Sequence, residues 1–199
     1  MFIQMVQGSC RRQDDLRRVV DDWCTSMSSQ AGWLGGTYGF TDDDNFVGVV
    51  RFDSKESCSR ASARDDAGMW WAAAAECFDA APELHESSDV TMMLNGGSDD
   101  AGFVQIMRGR VGNADKLRRM TGDTEMTNML HEARPDIIGG TLAIEDDGHF
   151  IETIAFTSES EARERESMEM PAEVASEMAE AMAEVEYVDL HRPWFRSHP

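Results

Sequence analysis

The sequence predicts an α+β protein made of two tandem copies of one β-α-β-β-α-β unit, because the second half of the chain repeats the first. Residues 2–8 (FIQMVQG) match residues 103–109 (FVQIMRG) at an offset of 101. Further along, residues 35–37 (GGT) match residues 139–141 (GGT) at an offset of 104. A three-residue insertion in the second copy explains the change of offset. The match therefore keeps its register over most of each unit.

The first copy shows the periodicity of each element in turn. An apolar strand over 2–7 ends at Gly8, and apolar residues at helical spacing, such as Leu16, Val20 and Trp23, predict a helix over 13–29. The turn sequence DDDN at 42–45 predicts a hairpin. The remaining predicted elements are strands at 37–40 and 46–52, a helix that begins after the N-cap Ser54, breaks at Gly68 and continues to 81, and a closing strand at 90–94.

The second copy follows the same plan. Its predicted strands are 103–108, 140–145, 149–156 and 186–190, and its predicted helices are 113–132 and 159–184, with Pro171 where the first copy has its helix break. This order of elements is the split β-α-β, or ferredoxin-like, unit.

The predicted domains are repeat 1 at 1–95, a linker at 96–101, and repeat 2 at 102–199, which ends in a tail at 191–199. A ferredoxin-like sheet has helices on one face and needs cover on the other. We therefore expect the two repeats to pack sheet against sheet as an intramolecular α+β barrel.

Charge and cysteine content exclude several classes of protein. The chain has 38 acidic and 18 basic residues, a formal net charge of −20, which disfavours nucleic acid and anionic lipid as partners. No apolar run is long enough to span a membrane. The four cysteines form no CxxC pair, so we expect reduced thiols and a cytoplasmic location. The five histidines show no metal-ligand spacing, and no metal site is predicted.

Two segments carry a resemblance to a known family. The strand-to-helix segments RFDSKES at 51–57 and AFTSESEA at 155–162 resemble those of the dimeric α+β barrel superfamily. That group includes antibiotic-biosynthesis monooxygenases, haem-degrading monooxygenases and stress-response barrel proteins, and the tandem layout is similar to monooxygenase-like proteins of actinobacterial type. These motifs are generic, so they support the fold better than a function.

The resemblance implies a cofactor-independent, monooxygenase-like enzyme that acts on an aromatic or polyketide-like compound. A non-catalytic ligand-binding or stress-response protein that holds a small apolar molecule is the alternative, and a sealed core would indicate a purely structural role. Haem-degrading relatives place an Asn on the first strand and a Trp and a His near the second helix, where this chain has Gln4, Trp70 or Trp71, and His85. Gln replaces Asn and His85 lies far beyond the tryptophans, so haem is a minor alternative and no cofactor is predicted.

Strand alternation gives the remaining candidate residues. The aliphatic Ile3 and Met5 should lie beneath helices, which leaves Gln4 and Gln105 facing the barrel interior. A buried amide needs a hydrogen bond, so each Gln either bonds within the protein or orients a substrate. Glu152 alternates with apolar residues, and it either reaches water at a strand edge or is a buried general base.

The adjacent Trp70 and Trp71 point in different directions on a helix, so one can enter the core while the other packs under a loop or lines a pocket. They have no counterpart in copy two, so a site should be centred on copy one. There Gln4, Trp70, Trp71 and His85 should bind or orient the substrate, with His85 as a candidate catalytic residue. In the tail, Trp194 and Phe195 should dock either on the body of the chain or on a neighbouring subunit. The basic tail on an acidic body favours a homodimer to which the tail contributes.

Overall fold

The computed structural model describes residues 1–168 and 172–198, and the chain divides into two compact units. Unit 1 contains Met1–Ser88 and Pro193–Pro199, and unit 2 contains Asp89–Arg192. Each unit is an antiparallel sheet packed with helices, which confirms the α+β class and the two tandem ferredoxin-like repeats.

The elements of unit 1 are β1 (Phe2–Ser9), α1 (Gln13–Met27), β2 (Trp33–Phe40), β3 (Asn45–Phe52), α2 (Lys55–Ser62), α3 (Ala67–Ala75) and β4 (Glu83–Ser87). Those of unit 2 are β5 (Asp89–Met93), β6 (Phe103–Val111), α4 (Ala114–Gly122), α5 (Thr124–Ala133), β7 (Ile137–Ile144), β8 (His149–Phe156), α6 (Glu159–Glu166), α7 (Ala172–Ala181) and β9 (Met182–Leu190). The last strand, β10 (Trp194–Ser197), returns to unit 1.

The two sheets have equivalent strand orders. They are β10-β2-β3-β1-β4 in unit 1 and β5-β7-β8-β6-β9 in unit 2. The equivalent pairs Phe2–Phe52 and Phe103–Phe156 fix the same antiparallel register between the first and third strands of each repeat. Each sheet therefore has four strands in the order of a ferredoxin-like unit, and a fifth strand is added at one edge.

That fifth strand is exchanged between the repeats, which differs from the sequence prediction. The segment predicted to close repeat 1, residues 90–94, is largely β5, and it pairs with β7 in the sheet of unit 2. The strand that closes unit 1 is β4, which pairs with β1. β4 has the sequence ELHES, a short and mostly exposed edge strand without apolar alternation, so hydrophobic periodicity did not reveal it.

The tail completes the exchange, because β10 pairs with β2. Trp194 is 6% exposed, and its ring packs against those of Tyr38, Phe40 and Phe46. The tail thus docks on its own chain, and Trp194 is not free to anchor a second one. The part of the prediction that uses Trp194 as an anchor between subunits is therefore wrong, while a homodimer to which the tail contributes stays a prediction.

Helix boundaries also differ from those predicted. The break in the second helix of repeat 1 lies between α2 and α3, and Gly68 is inside α3. The predicted helix at 113–132 is two helices, because the side chain of Asp123 accepts the backbone N–H groups of Glu125 and Met126 and caps a new helix. The prediction for Pro171 lies outside the described residues.

The assignment of sheet faces was reversed. Phe2, Phe46 and Phe52 share a core with Leu16 and Val20 of α1, so they lie on the helix-covered face. Ile3 and Met5 occupy the opposite face, at 2% and 0% exposure. Because both faces are apolar and buried, hydrophobicity alone does not tell them apart. Consequently Gln4 and Gln105, which share a face with Phe2 and Phe103, lie beneath helices.

No helix within the described ranges is long and apolar enough to cross a bilayer.

Replacing the buried indole tests the role of the tail. We expect Trp194→Ala to lower the free energy of unfolding by about 3–5 kcal/mol, as large aromatic truncations in cores do. Ser197→Ala, at an exposed position of the same strand, should change it by less than about 0.5 kcal/mol. Urea unfolding measures both. A Trp194→Ala midpoint equal to that of the unmodified protein would show that the tail is not part of the core.

Candidate functional site

Glu152 lies in the core of unit 2, on the helix-covered side of β8. Its neighbours on that face, Phe150 and Ile154, belong to the buried cluster that includes Leu117 of α4. Glu152 itself is 4% exposed. The hydroxyl of Thr121, also on α4, lies 3.1 Å from its Oε1 atom. The edge-of-strand interpretation is therefore wrong, and the carboxyl group is buried between sheet and helix.

The Thr121 hydroxyl has a single proton and two acceptors. It lies 3.1 Å from the carbonyl oxygen of Leu117 as well as 3.1 Å from Glu152. When Glu152 is protonated, its own hydroxyl can donate to Thr121, and Thr121 can donate to Leu117. When Glu152 is ionised, the Thr121 hydroxyl must break its hydrogen bond to the Leu117 carbonyl oxygen in order to donate to the carboxylate. The Thr121 hydroxyl thus stabilises the ionised form, at the expense of its hydrogen bond to the Leu117 carbonyl.

Burial raises the pKa of Glu152 to about 7, and the hydrogen bond from Thr121 opposes this in part. Within the described ranges, no basic side chain forms an ion pair with Glu152. A carboxyl group that titrates close to neutral pH in an apolar site can act as a general base. This is the electrostatic property that sets Glu152 apart from the exposed carboxylates of the chain.

The first repeat provides an internal comparison for this pair. At the repeat offsets of 104 and 101, Glu152 corresponds to Gly48 and Thr121 corresponds to Val20. In unit 1, the rings of Tyr38 and Phe46 lie 3.0 Å from the position that a Cβ atom on Gly48 would take. The fold therefore forms without an acid or a hydroxyl at these positions, and the pair is specific to the second copy.

The surroundings of the two positions differ in side-chain size. Trp194 pairs with Tyr38 at the edge of the first sheet, and the equivalent pair in the second is Thr91 with Leu142. The core of unit 1 contains tryptophan and tyrosine rings as well as phenylalanines, whereas the core of unit 2 combines phenylalanines with aliphatic residues and methionines. The methionines of that core are Met93, Met107, Met120, Met178 and Met182. Their unbranched side chains adapt to a change of occupant better than rings do.

The two glutamines form equivalent hydrogen bonds in the two units. Gln4 Nε2 donates to Glu86 Oε1 over 2.8 Å, and Gln105 Nε2 donates to Asp189 Oδ1 over 3.0 Å. In each case the acceptor belongs to the edge strand beside the first strand of the repeat. Both partners are carboxylates of the protein itself, so each Gln bonds within the protein, the first of the two expectations.

The tryptophans lie on the helical layer of unit 1. Trp70 stacks on Trp23 of α1 with ring centroids 4.6 Å apart, and its indole N–H donates to the Val19 carbonyl over 2.8 Å. Trp71 is 39% exposed. Trp70 thus joins α3 to α1, and its ring and N–H are both engaged within the protein.

His85 lies on β4 opposite Met5, so it is on the sheet face opposite to that of Gln4. Its Nε2 atom is 3.7 Å from Glu83 Oε2. Gln4, Trp70 and His85 therefore do not converge on one site, and they do not fit a haem held by these three residues. The described residues also contain no group of three or more His, Cys, Asp or Glu placed to hold a metal ion.

A cleft of about 340 Å³ opens on the surface of unit 1. It is lined by Phe2, Lys55, Cys58, Ser59, Ser62, Ala63 and Glu86. Burial raises the pKa of the Cys58 thiol to about 11, so this thiol is neutral at physiological pH and is not an activated nucleophile.

Comparisons with known proteins support the fold. A "putative monooxygenase" from Lactobacillus acidophilus aligns with a TM-score of 0.72 and 11% identity, over 100% of this chain and 97% of that one. A "putative monooxygenase" from Fusobacterium nucleatum aligns with a TM-score of 0.72 and 9% identity, over 98% and 94% of the two chains. An anthrone oxidase-like protein aligns with a TM-score of 0.68 and 11% identity, over 99% and 93%. No protein-family model and no curated protein sequence matches the chain. At these identities the likeness establishes the tandem fold alone.

Sequence reasoning identified Glu152 but missed Thr121 and the cleft. A threonine in a helix carries no signal by itself. The signal was available in the repeat, where residues 20 and 48 of the first copy are Val and Gly at the positions of Thr121 and Glu152.

The raised pKa of Glu152 predicts an unusual pH dependence of stability. Between pH 4.5 and 7 the folded state keeps a proton that the unfolded state has lost, so the free energy of unfolding falls as pH rises. This loss should total about 3 kcal/mol and be complete above pH 7.

Chemical unfolding of Glu152→Gln across this range measures the effect. The variant should lack this fall and be more stable than the unmodified protein above pH 7. Glu186→Gln, at an exposed position on β9, should keep the unmodified protein's profile. Parallel profiles for the unmodified protein and Glu152→Gln would show that Glu152 titrates normally.

Proposed function

We propose that this chain is a cofactor-independent, monooxygenase-like enzyme that oxidises an aromatic or polyketide-like compound, with Glu152 of unit 2 as the general base. The observation that carries the proposal is the Glu152–Thr121 pair, a buried carboxyl group with a pKa of about 7. The equivalent positions in unit 1 have neither group, so the fold does not require the pair. Neighbours of the same fold that are named as monooxygenases and as anthrone oxidase-like support the reaction class.

The chemistry follows from an acidic methylene group between aromatic or carbonyl groups. Ionised Glu152 removes one proton from the methylene, and the resulting carbanion is stabilised by delocalisation. The carbanion adds O₂ to give a peroxide, which takes up the proton that Glu152 holds. Loss of water, with removal of the second C–H proton, leaves a carbonyl group. The balance is CH₂ + O₂ → C=O + H₂O, so the substrate supplies all four electrons.

Thr121 is the positioning residue in this mechanism. Its hydroxyl donates to the ionised carboxylate and returns to the Leu117 carbonyl when Glu152 takes a proton. Glu152 is buried, so a substrate reaches it when flexible side chains of the surrounding core, such as Met107 and Met182, move aside. An apolar core of this kind selects an apolar or aromatic substrate. The proposed site is therefore in copy two, whereas the sequence predicts one centred on copy one.

Oxygen uptake with a panel of anthrones and hydroxynaphthalenes tests the proposal. We expect kcat/KM for the best substrate to increase with pH around pH 7 as Glu152 ionises. Glu152→Gln should lower kcat by about 10²–10⁴-fold, the usual contribution of a general base. The exposed Glu186→Gln variant should retain full activity.

The Thr121→Val variant tests whether Thr121 positions the Glu152 carboxylate or only contributes to the stability of the core. Loss of the hydroxyl removes the interaction that lowers the pKa of Glu152, so the pH profile of kcat/KM should shift to higher pH. Activity that is the same in Glu152→Gln would contradict the proposal. Tight binding of the panel without oxygen uptake would favour the alternative, a non-catalytic ligand-binding protein.

A further inference from the structure

The cleft of unit 1 has an occupied counterpart in unit 2. There the guanidinium carbon of Arg163 lies 4.9 Å from the centroid of the Phe103 ring. The same guanidinium donates a hydrogen bond to Asp189 and forms ion pairs with Glu159 at 3.5 Å and Glu166 at 2.9 Å. Phe103 and Asp189 thus form a receptor for a guanidinium group, with the ring below it and the carboxylate at its edge.

Unit 1 keeps this receptor but not the arginine. Phe2 corresponds to Phe103, and Glu86 takes the place of Asp189, since each carboxylate accepts the amide of the equivalent Gln on the first strand. At the offset of 104, Arg163 corresponds to Ser59, whose side chain is shorter. The cleft lies here, and both Phe2 and Glu86 line it. Phe2 is 2% exposed and Lys55 Nζ lies 6.0 Å from its ring centroid, so a ligand reaches the ring face when Lys55 turns aside.

We propose that this cleft binds a small organic cation with a guanidinium group, which takes the place that Arg163 fills in unit 2. The Phe2 ring would stack on the guanidinium, and Glu86, oriented by Gln4, would accept its N–H groups. The volume of about 340 Å³ is at the lower end of the range of about 300–1,000 Å³ for small-molecule pockets. The net charge of −20 raises the local concentration of cations near the surface.

Lys55 modulates this site. Its Nζ atom lies 6.0 Å from the Phe2 centroid, in the wall of the cleft, where unit 2 has Glu159. A bound cation is repelled by this ammonium group, and the exposed lysine side chain must turn towards water. Lys55 therefore lowers the affinity of the cleft and favours ligands whose positive charge sits close to Glu86.

Calorimetric titration with butylguanidine tests the inference, because it measures how many molecules of this cation each variant binds. The unmodified protein should bind one molecule. Ser59→Arg copies the residue of unit 2 into the cleft and should abolish binding. Arg163→Ser removes the internal guanidinium from unit 2 and should create a second site. Ser29→Arg, which adds the same charge at an exposed position on unit 1, should leave one site with unchanged affinity.

Two further variants test the receptor itself. Glu86→Gln should weaken binding at least tenfold, and Lys55→Met should strengthen it. Circular dichroism and thermal melting confirm that each variant is folded, and if Arg163→Ser does not fold, the Ser59→Arg and Glu86→Gln results decide. No binding to the unmodified protein, or equal binding to the unmodified protein and Ser59→Arg, would overturn the inference. None of these residues belongs to the proposed base in unit 2, so the two proposals fail independently.

Discussion

The structure depends on the need to satisfy polar groups beneath the helices of each repeat. The helix-covered sheet face is lined by buried Phe residues in equivalent registers. An amide or carboxyl group placed there costs free energy unless it has a hydrogen-bond partner. Gln4 and Gln105 meet this need with a carboxylate on the neighbouring strand, and Glu152 meets it with Thr121.

The two repeats fill the space beneath their helices with different residues, and the differences between them suggest the function. Unit 1 closes its core with the ring of Trp194, supplied by the exchanged strand β10, and leaves a cleft beside Phe2. Unit 2 fills the equivalent of that cleft with Arg163 and carries an acid in its core instead. Duplication allows this divergence, because one copy can keep a stable core while the other holds a group that costs stability.

The order of elements and the tandem repeat could be predicted from sequence, because periodicity and the matched segments at 2–8 and 103–109 are local signals. The exchange of β5 and β10 could not, since it depends on which sheet edge is available rather than on residues within the strand. The sheet faces were misassigned because Ile3 and Phe2 are equally apolar. Glu152 was noticed as an acid in an apolar alternation, whereas Thr121 became significant only beside Val20 of the first copy.

Glu152 is a buried acid that titrates near neutral pH, and carbon NMR of its labelled side-chain carboxyl group measures this directly. We expect a titration with a pKa of about 7, which moves upward in Thr121→Val because the hydrogen bond that favours the ionised form is lost. Titration near the ordinary value of 4.5, unchanged in Thr121→Val, would contradict it.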